Sequence, residues 1–295
     1  MSQDVVAGPR TTSPALALVR AARPRQWLKN VLVLAAPLAA GVLGEPRSLL
    51  AALSVFVAFC LAASGSYLLN DASDVEADRL HPRKKHRPIA SGAVSVRTAR
   101  VTGVALLLLA PVVAAPAGRW ESSAVVAGYV ALTLSYTVWL KHQEVVDLIA
   151  VAGCHVIRAY AGAVAVDVPV TGWFLVVVSL AALQLVVGKR EAELRAQGVT
   201  GTRATLASYS PAYLAQVRVM CSGAMIVTYC LWALNAHADL FYGLSIIPFL
   251  LLVLRHNLLV DRGRGEEPEE LAARDRPILL FAVGLIVLVA LGIYI

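Results

Sequence analysis

Residues 49–78 read LLAALSVFVAFCLAASGSYLLNDASDVEAD, and the change of character at position 70 decides how the chain folds. Residues 49–69 hold no charged side chain, and a run of about 20 such residues is what a helix needs to cross a bilayer. The next nine residues carry Asn70, Asp71, Asp74, Glu76 and Asp78. On a helical course Asp71, Asp74 and Asp78 fall on one face and Glu76 falls away from it. Carboxylates crowded on one face repel one another, and a divalent cation removes that penalty. Oxygen-only donors suit Mg²⁺, which one or two carboxylates hold together with substrate phosphates. The stretch therefore predicts a membrane span that ends in a magnesium–diphosphate site, with Asp71, Asp74 and Asp78 as metal ligands and catalytic groups and Asn70 beside them.

The rest of the chain fits a membrane setting. Of its 295 residues 58% are apolar and 15% charged, and the mean hydropathy is +0.70. An ordinary soluble domain carries about 25% charged residues. The hydropathy pattern predicts an all-α polytopic membrane protein with nine spans, near 26–44, 49–69, 98–117, 121–140, 145–166, 170–188, 212–234, 240–258 and 277–295. Residues 1–25 form an N-terminal segment, and residues 26–295 form one catalytic domain around a central cavity. Two longer connections, near 70–98 and 189–211, read as cap loops, and they suggest two related halves with the last span added. Cys60, Cys154, Cys221 and Cys230 lie in apolar stretches without metal-ligand spacing and read as packing residues. The N-terminus lacks the pattern of a cleaved signal peptide.

Lys and Arg gather in alternate connections, while only Arg47 and Arg119 fall on the other side. That asymmetry places the N-terminus and both caps in the cytoplasm and the C-terminus outside. The net charge of +7 then lies on one face, where it orients the chain and attracts anionic membrane lipids. It does not call for a nucleic acid. Gly41 and Gly44 permit close helix packing, so a homo-oligomer is allowed without naming a partner.

Four further groups carry chemistry. Residues 81–92 place a basic run beyond the aspartates. Lys85 and Arg87 are the chosen anion binders, with Arg83 and Lys84 behind them, and Pro88 and Gly92 punctuate the loop. Residues 188–193 close the sixth span with Lys189, Arg190, Glu191 and Glu193, a mixed cluster that reads either as a positive-inside anchor or as a substrate-binding group of Lys189, Arg190 and Glu191, in which Glu191 or Glu193 steadies the basic groups or reaches a second metal. Arg158 lies inside a span, with Tyr160 nearby. An ionisable group at that depth is a functional candidate by default, with an internal structural ion pair as the alternative. Residues 23–30, with Lys29 and Asn30, read either as a cavity wall near a phosphate or as an interfacial anchor around Trp27. Tyr136 and Lys141 end the fourth span on the same side. No Walker loop or dinucleotide fingerprint is present.

These residues carry a resemblance. The arrangement Asn70-Asp71-x-x-Asp74-x-x-x-Asp78, followed by Arg87-Pro88-Ile89-Ala90-Ser91-Gly92, resembles the first aspartate motif of the UbiA-type intramembrane prenyltransferase superfamily. Most members carry a second aspartate-rich motif after the sixth span. Here that place holds Lys189-Arg190-Glu191-Ala192-Glu193. With the opening Arg-Pro-Arg-Gln-Trp-Leu-Lys-Asn, the chain is similar to the decaprenyl-phosphate phosphoribosyltransferase branch of that superfamily. The resemblance implies 5-phosphoribosyl 1-diphosphate as donor, decaprenyl phosphate as acceptor, Mg²⁺ as cofactor and a role in supplying arabinose to the cell envelope. A donor with a second anionic end needs more cations and fewer carboxylates, which fits Lys189 and Arg190, with Arg158 assisting. An aromatic prenyltransferase using a prenyl diphosphate is the alternative within enzymes. A lipid transporter or flippase is the alternative outside them, disfavoured because nearly all the charge gathers at one face.

Overall fold

The structure, a computed structural model, describes residues 13–82, 84–115, 120–197, 204–235, 240–265, 271 and 274–294. Arg83, Arg119 and most of the turn expected at 198–205 lie outside the described residues. Among those described, the protein is all helical. A short helix α1 (Pro14–Ala21) precedes a 3₁₀ stretch (Pro24–Leu34) and α2 (Ala35–Ala39). The long helix α3 (Pro46–Ser73) is followed by α4 (Val75–Leu80), α5 (Val96–Ala114), α6 (Trp120–Val138) and α7 (Val146–Ala165). Then come α8 (Gly172–Gln197), the one-turn α9 (Ala204–Ala207), α10 (Pro211–Asn235), α11 (Leu240–Asp261) and α12 (Arg276–Tyr294).

Seven helices among the described residues are long and apolar enough to cross a membrane: α3, α5, α7, α8, α10, α11 and α12. The expected nine spans are corrected to this number, and the two missing ones fail for different reasons. Helix α6 forms over the expected stretch, but Glu121, Ser122, Ser123, Thr133, Ser135 and Thr137 dilute its apolar character. Residues 26–44 are apolar enough in composition but do not make one helix. Gly41 takes a left-handed turn (φ 71°) between α2 and the next turn, and the 3₁₀ stretch is pressed against α7. There the Val33 carbonyl fills the space that a Cβ at Gly162 would need. Irregular backbone is tolerated in a membrane protein where other protein covers it, and here α3 and α7 do so.

The long helices α3, α5, α6, α7, α8, α10, α11 and α12 each pack on the next in that order, and α12 returns to α2. The Tyr294 hydroxyl donates to the Gly41 carbonyl at 2.9 Å, which closes that circuit. Gly41 thus serves packing within the chain. Close approach of α3 and α5 rests on Gly65 and Gly103, where an added Cβ at either would meet the other's carbonyl oxygen, at 2.8 and 3.1 Å. Around this crossing Val55, Phe59, Leu107, Val126 and Tyr129 form the core of the first half. Helix α12 starts on Asp275, which accepts the Ile278 N–H at 3.1 Å and pairs with Arg255 of α11 at 2.8 Å. The Arg255 hydrogen bond, and then the Ile278 N–H, hold the Asp275 carboxyl below the usual range.

Candidate active site

Helix α3 carries the first cluster past the end of its apolar run. The helix ends at Ser73, Asp74 caps the next turn (φ −93°, ψ 13°), and α4 resumes at Val75. Asp78 N–H still reaches the Asp74 carbonyl at 2.8 Å, so the course stays close to helical across the break. Asp71 and Asp78 end up buried, at 2% and 3% exposure, while Asp74 stays partly open. Asp71 and Asp78 converge. Arg87 Nη1 lies 3.1 Å from an Asp71 oxygen and 2.7 Å from an Asp78 oxygen. Arg23 Nη2 lies 2.8 Å from both oxygens of Asp71, and its guanidinium stacks over the Tyr67 ring at 4.8 Å. Asp74 accepts from Asn70 Nδ2 at 3.2 Å and faces Lys141 Nζ at 3.9 Å.

The second cluster lies on helix. Helix α8 runs on to Gln197, so residues 189–193 are its last turns where a cap loop was expected. Arg190 is buried, donates to Glu193 at 2.9 Å and to the Tyr136 hydroxyl at 3.1 Å, and sits 3.6 Å from Asp147. Lys189 stays half-buried, 3.9 Å from Glu193. Glu191 is fully buried and pairs at 2.7 Å with both Arg218 of α10 and Arg195 of its own helix. Asp147, at the start of α7, also accepts from the Tyr209 hydroxyl at 2.7 Å. Burial, with that hydrogen bond next, pushes the Tyr209 hydroxyl above the usual phenol range, so it stays a neutral donor. The same hydroxyl accepts the Val145 N–H, and Val145 holds a positive φ of 63°. A β-branched residue there is a backbone outlier of the kind found at functional sites.

The end of α6 joins the two clusters. Tyr136 reaches Arg190 and Lys141, just beyond the helix, faces Asp74. The two motifs are therefore at one end of the bundle. Thr205 of α9 donates to the Lys141 carbonyl and fastens the second connection to the same place.

The remaining predicted residues divide. Asn30 is fully buried and holds Arg158 Nε at 2.7 Å and Cys60 Sγ at 3.3 Å. Arg158 also donates to the Tyr129 hydroxyl at 2.6 Å and to the Cys154 carbonyl at 2.9 Å. These partners are neutral, so the internal ion pair expected as the alternative for Arg158 is not found among the described residues; a hydrogen-bonded fan ties the 3₁₀ stretch to α6 and α7 in its place. Lys29 is half-buried, while Lys85 and Tyr160 are exposed. The sequence reading passed over Arg23, Asp147 and Arg218. Arg23 stood inside a quoted motif, and Asp147 is a carboxylate opening an apolar span, the signal that singled out Arg158.

Among the described residues no three His, Cys, Asp or Glu side chains converge as a ready metal cage. Two buried carboxylates do converge, with a guanidinium bridging them, and two carboxylates completed by phosphate oxygens are an ordinary magnesium donor set.

The sequence pattern of the UbiA prenyltransferase family matches residues 30–285. A decaprenyl-phosphate phosphoribosyltransferase of Mycobacterium tuberculosis is 42% identical over an alignment of 305 positions that covers 99% of each chain. That of Corynebacterium glutamicum is 40% identical, over 94% of this chain and 87% of the other. Among solved structures, a UbiA homologue from Archaeoglobus fulgidus bound to DMAPP and Mg²⁺ superposes with a TM-score of 0.74, over 95% of this chain and 99% of that one, at 18% identity. At that identity the likeness is one of fold.

Proposed function

The chain belongs to the UbiA prenyltransferase family, and from that membership we propose that it transfers 5-phosphoribose from 5-phosphoribosyl 1-diphosphate to decaprenyl phosphate and releases diphosphate. The observation that carries this reading is the 42% identity to a decaprenyl-phosphate phosphoribosyltransferase along the full length of both chains. The geometry supports it: an acidic pair sits beside half-exposed arginines, with a basic second cluster at the same end of the bundle.

In this reading Asp71 and Asp78, with Asp74, hold Mg²⁺. Held there, Mg²⁺ would supply stabilisation of the charge that develops on the diphosphate as it leaves. Arg87 and Arg23 bind the diphosphate oxygens, and Lys85 extends that basic edge. Lys189, the more open cation of the second cluster, meets the 5-phosphate, while Tyr136, Arg190 and the buried acids around them fix the wall. The ribose C1–O bond to the diphosphate breaks, and an oxygen of the lipid phosphate forms the new bond to C1. A phosphate monoester has a second pKa of about 6, so this nucleophile is ionised at neutral pH and no general base is required. Positioning and charge stabilisation carry the catalysis.

The site opens to the cytoplasm from the plasma membrane, the N-terminus lies on the same side, and the decaprenyl tail lies among the helices. The product feeds arabinose into cell-envelope polymers. Incubation of purified protein with labelled donor, decaprenyl phosphate and Mg²⁺, followed by mass spectrometry of the lipid, tests the reading. A phosphoribosylated lipid is expected. A prenylated aromatic product from a prenyl diphosphate, or ion-coupled lipid movement without a covalent product, overturns it.

A further inference from the structure

We propose that Arg23 and Arg87 are resident counter-cations which make a divalent cation and diphosphate bind to this protein as a pair, each poorly without the other. The inference rests on the reading of residues 71–87 as the donor site. It starts from a charge balance. Asp71 and Asp78 contribute two negative charges, and Arg23 and Arg87 contribute two positive ones. One oxygen, Asp71 Oδ1, accepts from both guanidiniums. The cluster is already neutral, so a divalent cation arriving alone gains little: it must displace two guanidiniums or sit beside them. Diphosphate arriving alone meets arginines whose charge is already paired, Arg23 through Nη2 and Arg87 through Nη1, and it brings its own charge beside two buried carboxylates. When the two arrive together, the cation takes the carboxylate oxygens, the guanidiniums turn onto phosphate oxygens, and every charge keeps a partner.

The arginines are built to make that exchange. Both side chains are 28% exposed, whereas those of Asp71 and Asp78 are 2% and 4% exposed, so the cationic arms lie on the open side and the acids beneath them. Arg23 is held in place by its backbone. It adopts a left-handed conformation (φ 54°, ψ 61°) between α1 and the 3₁₀ stretch, an arrangement that costs energy for a residue with a Cβ. The turn is fastened to α3 around it. Ser64 donates to the Ala22 carbonyl and accepts from Trp27 Nε1, and Tyr67 donates to Gln26. Ser64, Tyr67 and Asp71 are spaced by three and four residues, so one face of α3 receives both the turn and the guanidinium. The guanidinium can leave Asp71 while the backbone anchors remain.

Equilibrium dialysis of Mn²⁺ against the full-length protein in detergent, with and without inorganic diphosphate, tests this directly. For the unaltered protein, diphosphate is expected to tighten Mn²⁺ binding about tenfold or more, a coupling of ordinary allosteric size. Arg23→Gln is expected to strengthen binding of Mn²⁺ alone and to shrink the enhancement by diphosphate. Arg87→Gln gives the same direction independently, and Arg23→Lys, which keeps the charge, restores the coupling. Equal Mn²⁺ affinity with and without diphosphate in the unaltered protein, together with no effect of either glutamine substitution, overturns the proposal. Asp71→Asn separates this from the underlying reading. If it abolishes Mn²⁺ binding in those same experiments, the donor site stands and only the coupling falls. If it leaves diphosphate-dependent Mn²⁺ binding unchanged, the site assignment falls with the coupling.

Discussion

The cluster after α3 and the cluster closing α8 contain the same ingredients in opposite arrangements. In the first, buried acids face arginines that are 28% exposed. In the second, Arg190 and Arg218 are themselves enclosed, with side chains 6% and 5% exposed, and Glu191 is wholly buried between Arg218 and Arg195, of which only Arg195, 33% exposed, reaches outward. An ion pair with one open partner can exchange that partner for a ligand. A pair sealed on both sides cannot do so without stranding a charge at low dielectric, which is costly. The comparison teaches that mixed charge at one end of the bundle divides by exposure: on the proposed function the open cluster does the chemistry, and the enclosed Arg190, Arg218 and Glu191 fix α8, α10 and α7 around it, leaving Lys189 and Arg195 as the outward groups. Substitutions at the two clusters are therefore expected to separate activity from stability.

The largest expected effect is at the open cluster. Asp71→Ala or Asp78→Ala should lower Mg²⁺-dependent turnover on the order of a hundredfold or more, since each removes a ligand charge from the proposed metal site. Steady-state assays with labelled donor check this, alongside thermal unfolding in detergent to establish that the protein is intact. Near-normal turnover in either variant removes the metal assignment and, with it, the contrast.

Next in size is Glu191→Gln in the closed cluster. It leaves Arg218 buried with no opposing charge, and Arg195 loses its shorter carboxylate contact. Breaking a buried pair in this way costs about 3–5 kcal/mol. A marked fall in melting temperature is expected, with residual turnover in the fraction that stays folded. Normal stability with lost turnover would instead make Glu191 a substrate-binding group, as the sequence reading had it.

That difference also marks how much was legible in the sequence. A long apolar run followed by acids is a local pattern, and so are the seven crossing helices, the converging aspartates' positions and Arg87. Residues 26–44 were misread because composition counts apolar residues without registering that Gly162 lets the Val33 carbonyl approach α7. The span was there in content and absent in regularity. The partners of the charged groups were illegible for a different reason. Arg23 meets Asp71 across 48 positions, Arg218 meets Glu191 across 27, and Tyr209 meets Asp147 across 62. Each looks like an ordinary positive-inside or belt residue until the helices are packed. Glu191 and Arg190 sit three residues or fewer from Lys189 and Glu193, and nothing in that spacing tells which of the four faces inward.

Arg158→Lys is expected to have a smaller effect of the same structural kind. One ammonium cannot replace three guanidinium nitrogens that reach Asn30, Tyr129 and the Cys154 carbonyl in different directions. Leaving a buried acceptor without its donor costs about 1–3 kcal/mol, so thermal stability should fall by about that much. The KM for the donor should change little. A large rise in KM at unchanged stability would move Arg158 out of the framework and into the site.

The smallest expected effect falls on the join between the two clusters. Lys141 faces Asp74 at 3.9 Å with both side chains partly exposed, at 21% and 39%, and such a pair is worth about 0–1 kcal/mol. Lys141→Gln should therefore leave melting almost unchanged. Asp74 is the most open of the three aspartates and Lys141 faces it, so on the proposed function a donor placed between the clusters passes this pair. The KM for the donor should then rise a few-fold and grow more sensitive to salt, since the compensating charge would come from solvent ions. If KM and its salt dependence both stay as they were, the donor does not pass between the clusters. The second cluster would then be framework alone, and the 5-phosphate would have to be held within the first.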